Sequence, residues 1–203
     1  MEDDKYKTIS SFSQGLYKEK GSRFIAMAYP VREQSEIKPI LDRLRKEHHE
    51  AKHHCYAWML GADRTNYRVN DDGEPSGTGG KPILGQINSA GLTNILIVVI
   101  RYFGGTLLGV SGLINAYRSA AADAIKNNRI TDQTLQEYYE IIFPYTSMND
   151  VMKILKEENM GQSDQHFDIE CKMKINFRAS SRDKIIERFT RIEGLIYTYL
   201  ETQ

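Results

Sequence analysis

The chain has 203 residues, of which 40% are hydrophobic and 27% charged, a composition typical of a soluble globular protein. Its 27 Lys and Arg residues balance 27 Asp and Glu residues, so no overall field attracts nucleic acid, and any such binding needs a local patch. The two cysteines are far apart, no apolar run approaches the ~20 residues of a membrane span, and the amino terminus lacks a signal-peptide pattern. These features predict a cytoplasmic protein that contacts no membrane.

Strand and helix patterns follow one another along the first part of the chain. Residues 5–31 predict two strands with a turn at Lys20-Gly21. Apolar spacing over residues 33–49 predicts a helix with Pro39 in its first turn, and alternation over residues 53–60 predicts a strand. Three more elements are expected before residue 126: a strand at 66–69, a short helix at 82–90 that starts at Pro82 and ends at Gly91, and a longer helix capped by Ser111.

The stretch from residue 70 to residue 112 holds ten of the fifteen glycines. Between its two glycine clusters, residues 95–100 form an unbroken apolar run that predicts a strand covered on both faces. We name the flanking segments the first glycine loop (residues 70–81) and the second glycine loop (residues 103–108). Glycine allows positive φ and close approach of the main chain, so a partner surface is expected here.

Neither glycine loop satisfies a known phosphate-binding motif. Pro75 stands where a P-loop needs its first glycine, and Pro82 stands where a dinucleotide-binding fingerprint needs its third. A generic anion site at the start of either following helix remains possible. The glycine content alone favours tight loops around a packed strand.

An acidic cluster of Asp71, Asp72 and Glu74 lies in the first glycine loop beside Ser76 and Thr78. Carboxylates in this arrangement could hold Mg²⁺ or act as a general base. The same residues form strong turn sequences, which is the favoured interpretation.

Metal binding and nucleophilic catalysis find little support. The histidines near Cys55 lack a second ligand pair, so we expect no metal site and no cofactor. These histidines are His48, His49, His53 and His54. Cys55 is expected to be a small buried hydrophobe. Ser76 and Ser111 lack the nucleophile elbow, so no catalytic residue is predicted.

Arg101 and Tyr102 end the central strand, where α/β sheets tend to expose ligand-facing residues. Arg101 is expected to meet an anion, either an RNA phosphate or a carboxylate, and the alternative is an internal ion pair with Asp71 or Asp72. The candidate ligand or partner surface therefore contains Asp71, Asp72, Glu74, Ser76, Thr78, Lys81, Arg101, Tyr102, Gly104, Gly105, Thr106 and Ser111.

Residues 127–133 lack apolar periodicity and predict a linker. Beyond it, strands and helices are expected in the order β-α-β-β-α-β, which is the ferredoxin-like motif. Its third strand carries Lys172, Lys174 and Arg178 on an exposed side, a candidate RNA face, although a solvated face is the commoner meaning. The sequence thus predicts an α+β protein with two domains, residues 1–132 and 136–203.

Four segments resemble the signature of the IMPACT family, called YigZ in bacteria: residues 20–25 (KGSRFI), 54–57 (HCYA), 71–78 (DDGEPSGT) and 101–109 (RYFGGTLLG). The resemblance covers residues 18–125, and the tail resembles the second domain of bacterial members. The chain departs from the pattern at Leu107, where a lysine is expected.

The resemblance implies a first domain with a left-handed βαβ crossover, like domain IV of elongation factor G, and a tail like domain V of that factor. It also implies a link to translation, because eukaryotic members regulate a kinase pathway by competing for a large ribosome-associated activator. Our main hypothesis is therefore a non-enzymatic binding protein whose partner is the ribosome, RNA or a translation protein. The alternative hypothesis is an enzyme or small-molecule binder that holds a phosphorylated ligand at the two glycine loops.

Overall fold

The computed structural model of the protein describes residues 4–203, which contain both α-helices and several antiparallel sheets. The α+β class is confirmed. Contacts divide these residues into two compact units, residues 6–133 and residues 134–203 together with residues 4–5. None of the helices in the described range combines the length and the apolar character needed to span a membrane.

The larger unit is built from strands and helices that alternate along the chain. Its elements are β1 (Lys5–Ile9), β2 (Ser13–Glu19), β3 (Ser22–Pro30), α1 (Ile37–Glu47), β4 (His53–Leu60), β5 (Asn66–Asn70), α2 (Gly80–Ser89), β6 (Ile95–Tyr102), α3 (Gly109–Lys126) and β7 (Ile130–Thr134). Strands β1 and β7 pair with each other, and the other five form one sheet in the order β2-β3-β6-β4-β5. Every neighbouring pair in this sheet is antiparallel.

The central strand β6 is covered on both faces, as its apolar run predicts. Residues 95–100 have no exposed surface. Ile95, Ile97 and Val99 pack with α2 and α3 on one face, while the residues between them pack with α1 on the other. Because each fully buried aliphatic side chain contributes about 1.5–3 kcal/mol, this strand is the stable frame from which the adjoining loops extend.

The second unit is smaller and has a hydrophobic core of its own. Its elements are β8 (Gln136–Pro144), α4 (Met148–Glu157), β9 (Gly161–His166), β10 (Glu170–Arg178), α5 (Arg182–Phe189) and β11 (Ile196–Thr202). The strands form an antiparallel sheet in the order β11-β8-β10-β9. Alternate residues of β8 and β10 are buried against the two helices, for example Ile141 and Met173 against Val151 and Phe189. The predicted β-α-β-β-α-β order is therefore observed.

Four sequence predictions are wrong in detail. Residues 5–31 contain three strands, and the predicted linker contains β7. Both differences arise because β1 and β7 pair with each other, and local periodicity does not indicate a strand partner that is distant in the sequence. Ser111 is not an N-cap, since Gly109 turns with φ +72° and α3 begins there. Pro82 is the third residue of α2, where its missing N–H is still harmless because the first four amides of a helix have no partner within it.

Strand β2 and helix α3 approach each other at Gly15. A Cβ added to Gly15 would lie 2.2 Å from the main-chain nitrogen of Ala124, and the Ser13 hydroxyl donates to the Ala124 carbonyl oxygen at 2.8 Å. The helix therefore rests directly on the strand's main chain, which only glycine permits.

We predict that Gly15→Ala lowers the free energy of unfolding by about 1–3 kcal/mol or more, because the helix must move away from the sheet. The matched control is Gly85→Ala in the middle of α2, where an added Cβ meets nothing within 4 Å. That change should raise stability by about 0.5–1 kcal/mol, since alanine is the better helix former. Urea unfolding of both variants measures the difference, and equal effects would contradict the close packing of α3 on β2.

Candidate functional site

The segments that carry the sequence motifs meet at one end of the five-stranded sheet. Arg23, near the start of β3, pairs with Tyr102 at the end of β6, and His53, the first residue of β4, pairs with Arg101. The turn at Lys20-Gly21, the start of β4 and both glycine loops adjoin these positions. We call this region the loop end.

Asp71 organises the first glycine loop from within. Its Oδ1 accepts hydrogen bonds from the main-chain N–H groups of Gly79 (3.0 Å) and Gly80 (2.8 Å), and its Oδ2 accepts one from Gly77 (2.8 Å). Burial raises the pKa of this carboxyl, but the amides and nearby Lys81 outweigh burial and leave the pKa below its ordinary value. Asp71 therefore occupies the anion position at the N-terminus of α2 that a ligand would otherwise take.

Asp72 ties the same loop to two neighbouring elements. Its Oδ2 accepts from the His54 main-chain N–H at 2.7 Å, and its Oδ1 accepts from Arg45 of α1 at 3.3 Å. Its carbonyl oxygen lies 2.9 Å from His53 Nδ1. Its main chain adopts φ +42°, the left-handed conformation that aspartate tolerates in turns. The carboxylate thus has internal partners.

Glu74 turns into the protein and forms a buried ion pair with Arg101. Glu74 Oε1 accepts from Arg101 Nη1 at 2.6 Å and from the Tyr117 hydroxyl of α3 at 2.8 Å. The two charged side chains are 3% and 8% exposed. Burial raises the pKa of Tyr117, so its hydroxyl stays protonated and donates. The internal ion pair foreseen for Arg101 exists, but with Glu74 in place of Asp71 or Asp72.

Cys55 lies beneath the first glycine loop. Its Sγ donates to the Asp71 carbonyl oxygen at 3.0 Å, and a Cβ on Gly79 would lie 2.6 Å from that sulfur. Burial raises the pKa of the thiol well above its ordinary value, so it stays protonated. This is the packed, unreactive cysteine expected from the strand pattern.

The second glycine loop contacts the β2–β3 turn main chain to main chain. Gly104 N–H donates to the Ser22 hydroxyl at 3.1 Å, and a Cβ on Gly104 would lie 2.0 Å from the carbonyl carbon of Gly21. Gly105 has φ +86° with open space around its Cα. Close packing within the protein therefore explains Gly104, whereas Gly105 serves a turn that remains open to solvent.

The predicted surface residues separate into buried and exposed groups. Glu74, Thr78 and Arg101 are buried, and Asp71, Asp72 and Tyr102 are partly buried; Ser76, Lys81, Gly104, Gly105, Thr106 and Ser111 are exposed. Sequence reasoning did not include Tyr117, Ser22 or His53 in the site. A single tyrosine on an alanine-rich helix face was the available signal for Tyr117.

The exposed rim of the loop end is basic. Lys20, Arg23, Lys52 and Lys81 are exposed, and none of the four forms a salt bridge with a residue in the range 4–203. The Arg23 guanidinium lies over the Tyr102 ring, 5.0 Å from its centroid. The three carboxylates of the first glycine loop have partners within the protein, while these four basic side chains face solvent.

The second predicted surface carries paired charges. Lys172 contacts Glu140 at 2.9 Å, Lys174 contacts Asp164 at 2.7 Å, and Arg178 donates to both carboxylate oxygens of Asp4. Hydrogen bonds from Arg178 lower the pKa of Asp4 to about 2. This face is therefore closer to neutral than its basic residues alone indicate.

The four histidines near Cys55 have separate surroundings. His54 is buried, and burial lowers its pKa; His48 Nδ1 lies 2.8 Å from the Tyr102 hydroxyl; His49 is exposed. Within the part of the chain that the structure describes, no three His, Cys, Asp or Glu side chains are grouped to hold a metal ion.

The sequence comparisons with known proteins agree on one family. The family model for the Impact N-terminal domain matches residues 20–125. The chain is 40% identical over 131 residues to "IMPACT family member YigZ" of Escherichia coli K12, covering 60% of this chain and 64% of that protein, less than two thirds of its length. It is 32% identical over 146 residues to "IMPACT family member YvyE" of Bacillus subtilis, covering 72% and 67%. A solved structure described as "Crystal structure of an hypothetical protein" is 28% identical, covers 98% of both chains and has a TM-score of 0.71.

We predict that Asp71→Asn loosens the first glycine loop and costs about 1–3 kcal/mol, because the asparagine NH₂ would face the Gly77 N–H, donor against donor. The folded-state pKa of Asp71 is depressed, so its contribution is complete above the ordinary value of 3.8 and is lost as pH falls through the folded pKa. Hydrogen exchange at Gly77, Gly79 and Gly80 measures the effect. Unchanged protection in the variant would contradict the role of the carboxylate.

Glu74→Gln should lower the free energy of unfolding by about 3–5 kcal/mol, because it leaves the Arg101 charge buried without a counterion. The double variant Glu74→Gln/Arg101→Met should recover much of that loss, since no unpaired charge remains. Exposed Glu50→Gln is the matched control and should change stability by less than about 0.5 kcal/mol. Chemical unfolding compares the three variants, and a double variant no more stable than Glu74→Gln would argue against coupling between the two residues.

Proposed function

The chain belongs to the Impact N-terminal domain family, and from this premise we propose that it is a non-enzymatic binding protein linked to translation, which associates with the ribosome by contacting RNA at the loop end. Its place of action is then the cytoplasm. Supporting this is the charge separation at the loop end, where the carboxylates are bonded to groups of the protein and the lysines are exposed.

This charge separation gives a neutral chain a local patch for phosphates. Asp71, Asp72 and Glu74 are bonded to main-chain amides or to basic side chains inside the loop end. Lys20, Lys52 and Lys81 stay exposed at its rim. Because lysines that neutralise phosphates release condensed counterions, such a patch binds RNA with an affinity that falls steeply with salt.

Apolar side chains beside this patch favour RNA with accessible bases. Phe103 is 53% exposed and Leu107 is 83% exposed, both in the second glycine loop. Protein modules that recognise RNA loops combine phosphate contacts with aromatic stacking on unstacked bases. Leu107 replaces the lysine expected from the family pattern, so this chain offers an apolar contact at that position.

The proposal extends to the folds of the two domains. We propose two domains, residues 1–132 and 136–203, the first with a left-handed βαβ crossover like domain IV of elongation factor G and the second like its domain V. In support, β3 and β4 are both antiparallel to β6, so α1 connects two parallel strands. The strand order β11-β8-β10-β9 likewise supports a ferredoxin-like second domain.

An enzymatic role receives less support from the geometry. The carboxylates of Asp71, Asp72 and Glu74 have internal partners, and the Cys55 thiol is protonated and covered. A general base or nucleophile needs a free pair of electrons that faces a substrate. Binding is therefore the function that these residues favour.

We predict that the protein cosediments with ribosomes at low salt and that log affinity falls linearly with log salt. The variant Lys52→Glu/Lys81→Glu should bind at least about tenfold more weakly and reduce the salt slope by about 2, one for each lost phosphate contact. The matched control, Lys126→Glu/Arg129→Glu, makes the same change in net charge at exposed positions at and after the far end of α3.

Each outcome of the salt series has a distinct meaning. Equal losses in both variants would show that total charge, and not the loop end, controls association. A shallow salt slope with intact binding would point to a protein partner. No association even at low salt would refute the proposal.

A further inference from the structure

One edge of the Arg101 guanidinium has no partner among residues 4–203. Glu74 takes only Nη1. Arg101 Nε is buried without any hydrogen-bond partner, and Nη2 donates to no other residue among those described. The free edge, Nε with Nη2, has the parallel N–H geometry that binds two oxygens of one oxyanion.

A buried donor without a partner is unusual and costly. Native proteins satisfy the great majority of their buried polar groups, and an unpaired donor destabilises the fold, especially when it is charged. Arg101 is 7% exposed, so bulk water reaches little of it. The chain keeps this arrangement at the end of its most buried strand, where a ligand would complete it.

The surroundings of Arg101 include Glu74, whose contact with the guanidinium is at Nη1 and not at the free edge. The Arg101 Cζ lies over the rings of Phe24 and Phe103, 5.5 Å from each ring centroid. Phe103 is half-exposed and is the outer of these two covers. His53 stands directly across on β4, with Nδ1 held 2.9 Å from the Asp72 carbonyl oxygen. The second glycine loop then leads into α3, whose first turn has no side-chain cap.

We propose that the Nε–Nη2 edge of Arg101 binds one phosphate group at the loop end. Glu74 already neutralises the guanidinium, and the exposed Lys52 and Lys81 supply positive potential that attracts a phosphate group, whether it is a monoester dianion or a phosphodiester monoanion. The phosphate belongs to an RNA backbone or to a small phosphorylated molecule, since both present the same oxygens. The inference rests on the proposed function in one respect, that the loop end is the binding surface, and it adds the residue and the chemical group.

The test follows the Arg101 Nε–H signal of the ¹⁵N-labelled full chain by NMR during titration with inorganic phosphate. The signal should shift and exchange more slowly with water as the hydrogen bond forms, while matched sodium chloride leaves it unchanged. Arg101→Lys identifies the signal by its absence and keeps a positive charge for Glu74. Judged from the main-chain amide shifts of Gly104 and Gly105, which both proteins retain, this variant should bind phosphate at least about tenfold more weakly, because one ammonium replaces a two-donor edge. Arg118→Lys, at an exposed position of α3, is the matched control and should bind normally.

Two further probes distinguish the sources of the phosphate. A single-stranded RNA without terminal phosphates that shifts the signal indicates backbone binding, whereas a response only to a nucleoside monophosphate or inorganic phosphate indicates a small ligand. A signal that responds to none of the three, or an Arg101→Lys variant that binds like wild type, overturns the inference. If the variant fails to fold, the wild-type titration decides alone.

The same titration is separable from the ribosome experiment. A silent Arg101 signal together with salt-sensitive ribosome association would refute the phosphate site and leave the proposed function intact. A responsive signal without ribosome association would refute the proposed function and retain the phosphate site.

Discussion

The buried Glu74–Arg101 ion pair is the constraint on which the loop end depends. A charge removed from water must meet an opposite charge or a set of hydrogen-bond donors, and Glu74 meets both in Arg101 and Tyr117. This contact joins the first glycine loop, the central strand and α3 at one point. Asp71 adds a second anchor through three main-chain amides, so the loop is held from inside at two positions.

The internal hydrogen bonds and ion pairs of the acidic residues determine which charges the loop end exposes to solvent. The whole chain is neutral, with 27 residues of each sign, yet the loop end combines internally bonded carboxylates with exposed lysines at its rim. A local field of this kind can attract phosphates without any overall positive charge. On β10 the reverse holds, because the lysines there are balanced by neighbouring carboxylates.

Glycine is required at these positions for two different physical reasons. At Gly15, Gly79 and Gly104 a side chain would collide with atoms of the protein, so these positions are determined by internal packing. At Gly105 and Gly109 a positive φ in open surroundings is the reason. The concentration of glycine in one stretch thus reflects close packing as well as an accessible turn, and only the open positions remain available to a partner.

Periodicity in the sequence was enough to predict the buried central strand, the faces of β4, the helices that cover the sheet and the β-α-β-β-α-β order of the second unit, because burial imposes a local pattern of period 2 or 3.6. The glycine stretch and the motif segments likewise located the loop end. Only the tertiary structure shows that Arg101 pairs with Glu74 and not with Asp71 or Asp72. It also shows that β1 pairs with β7 and that Gly104 packs against Gly21. These contacts join residues far apart in the chain, and the choice among chemically similar partners depends on distance and burial in space, which no local pattern encodes.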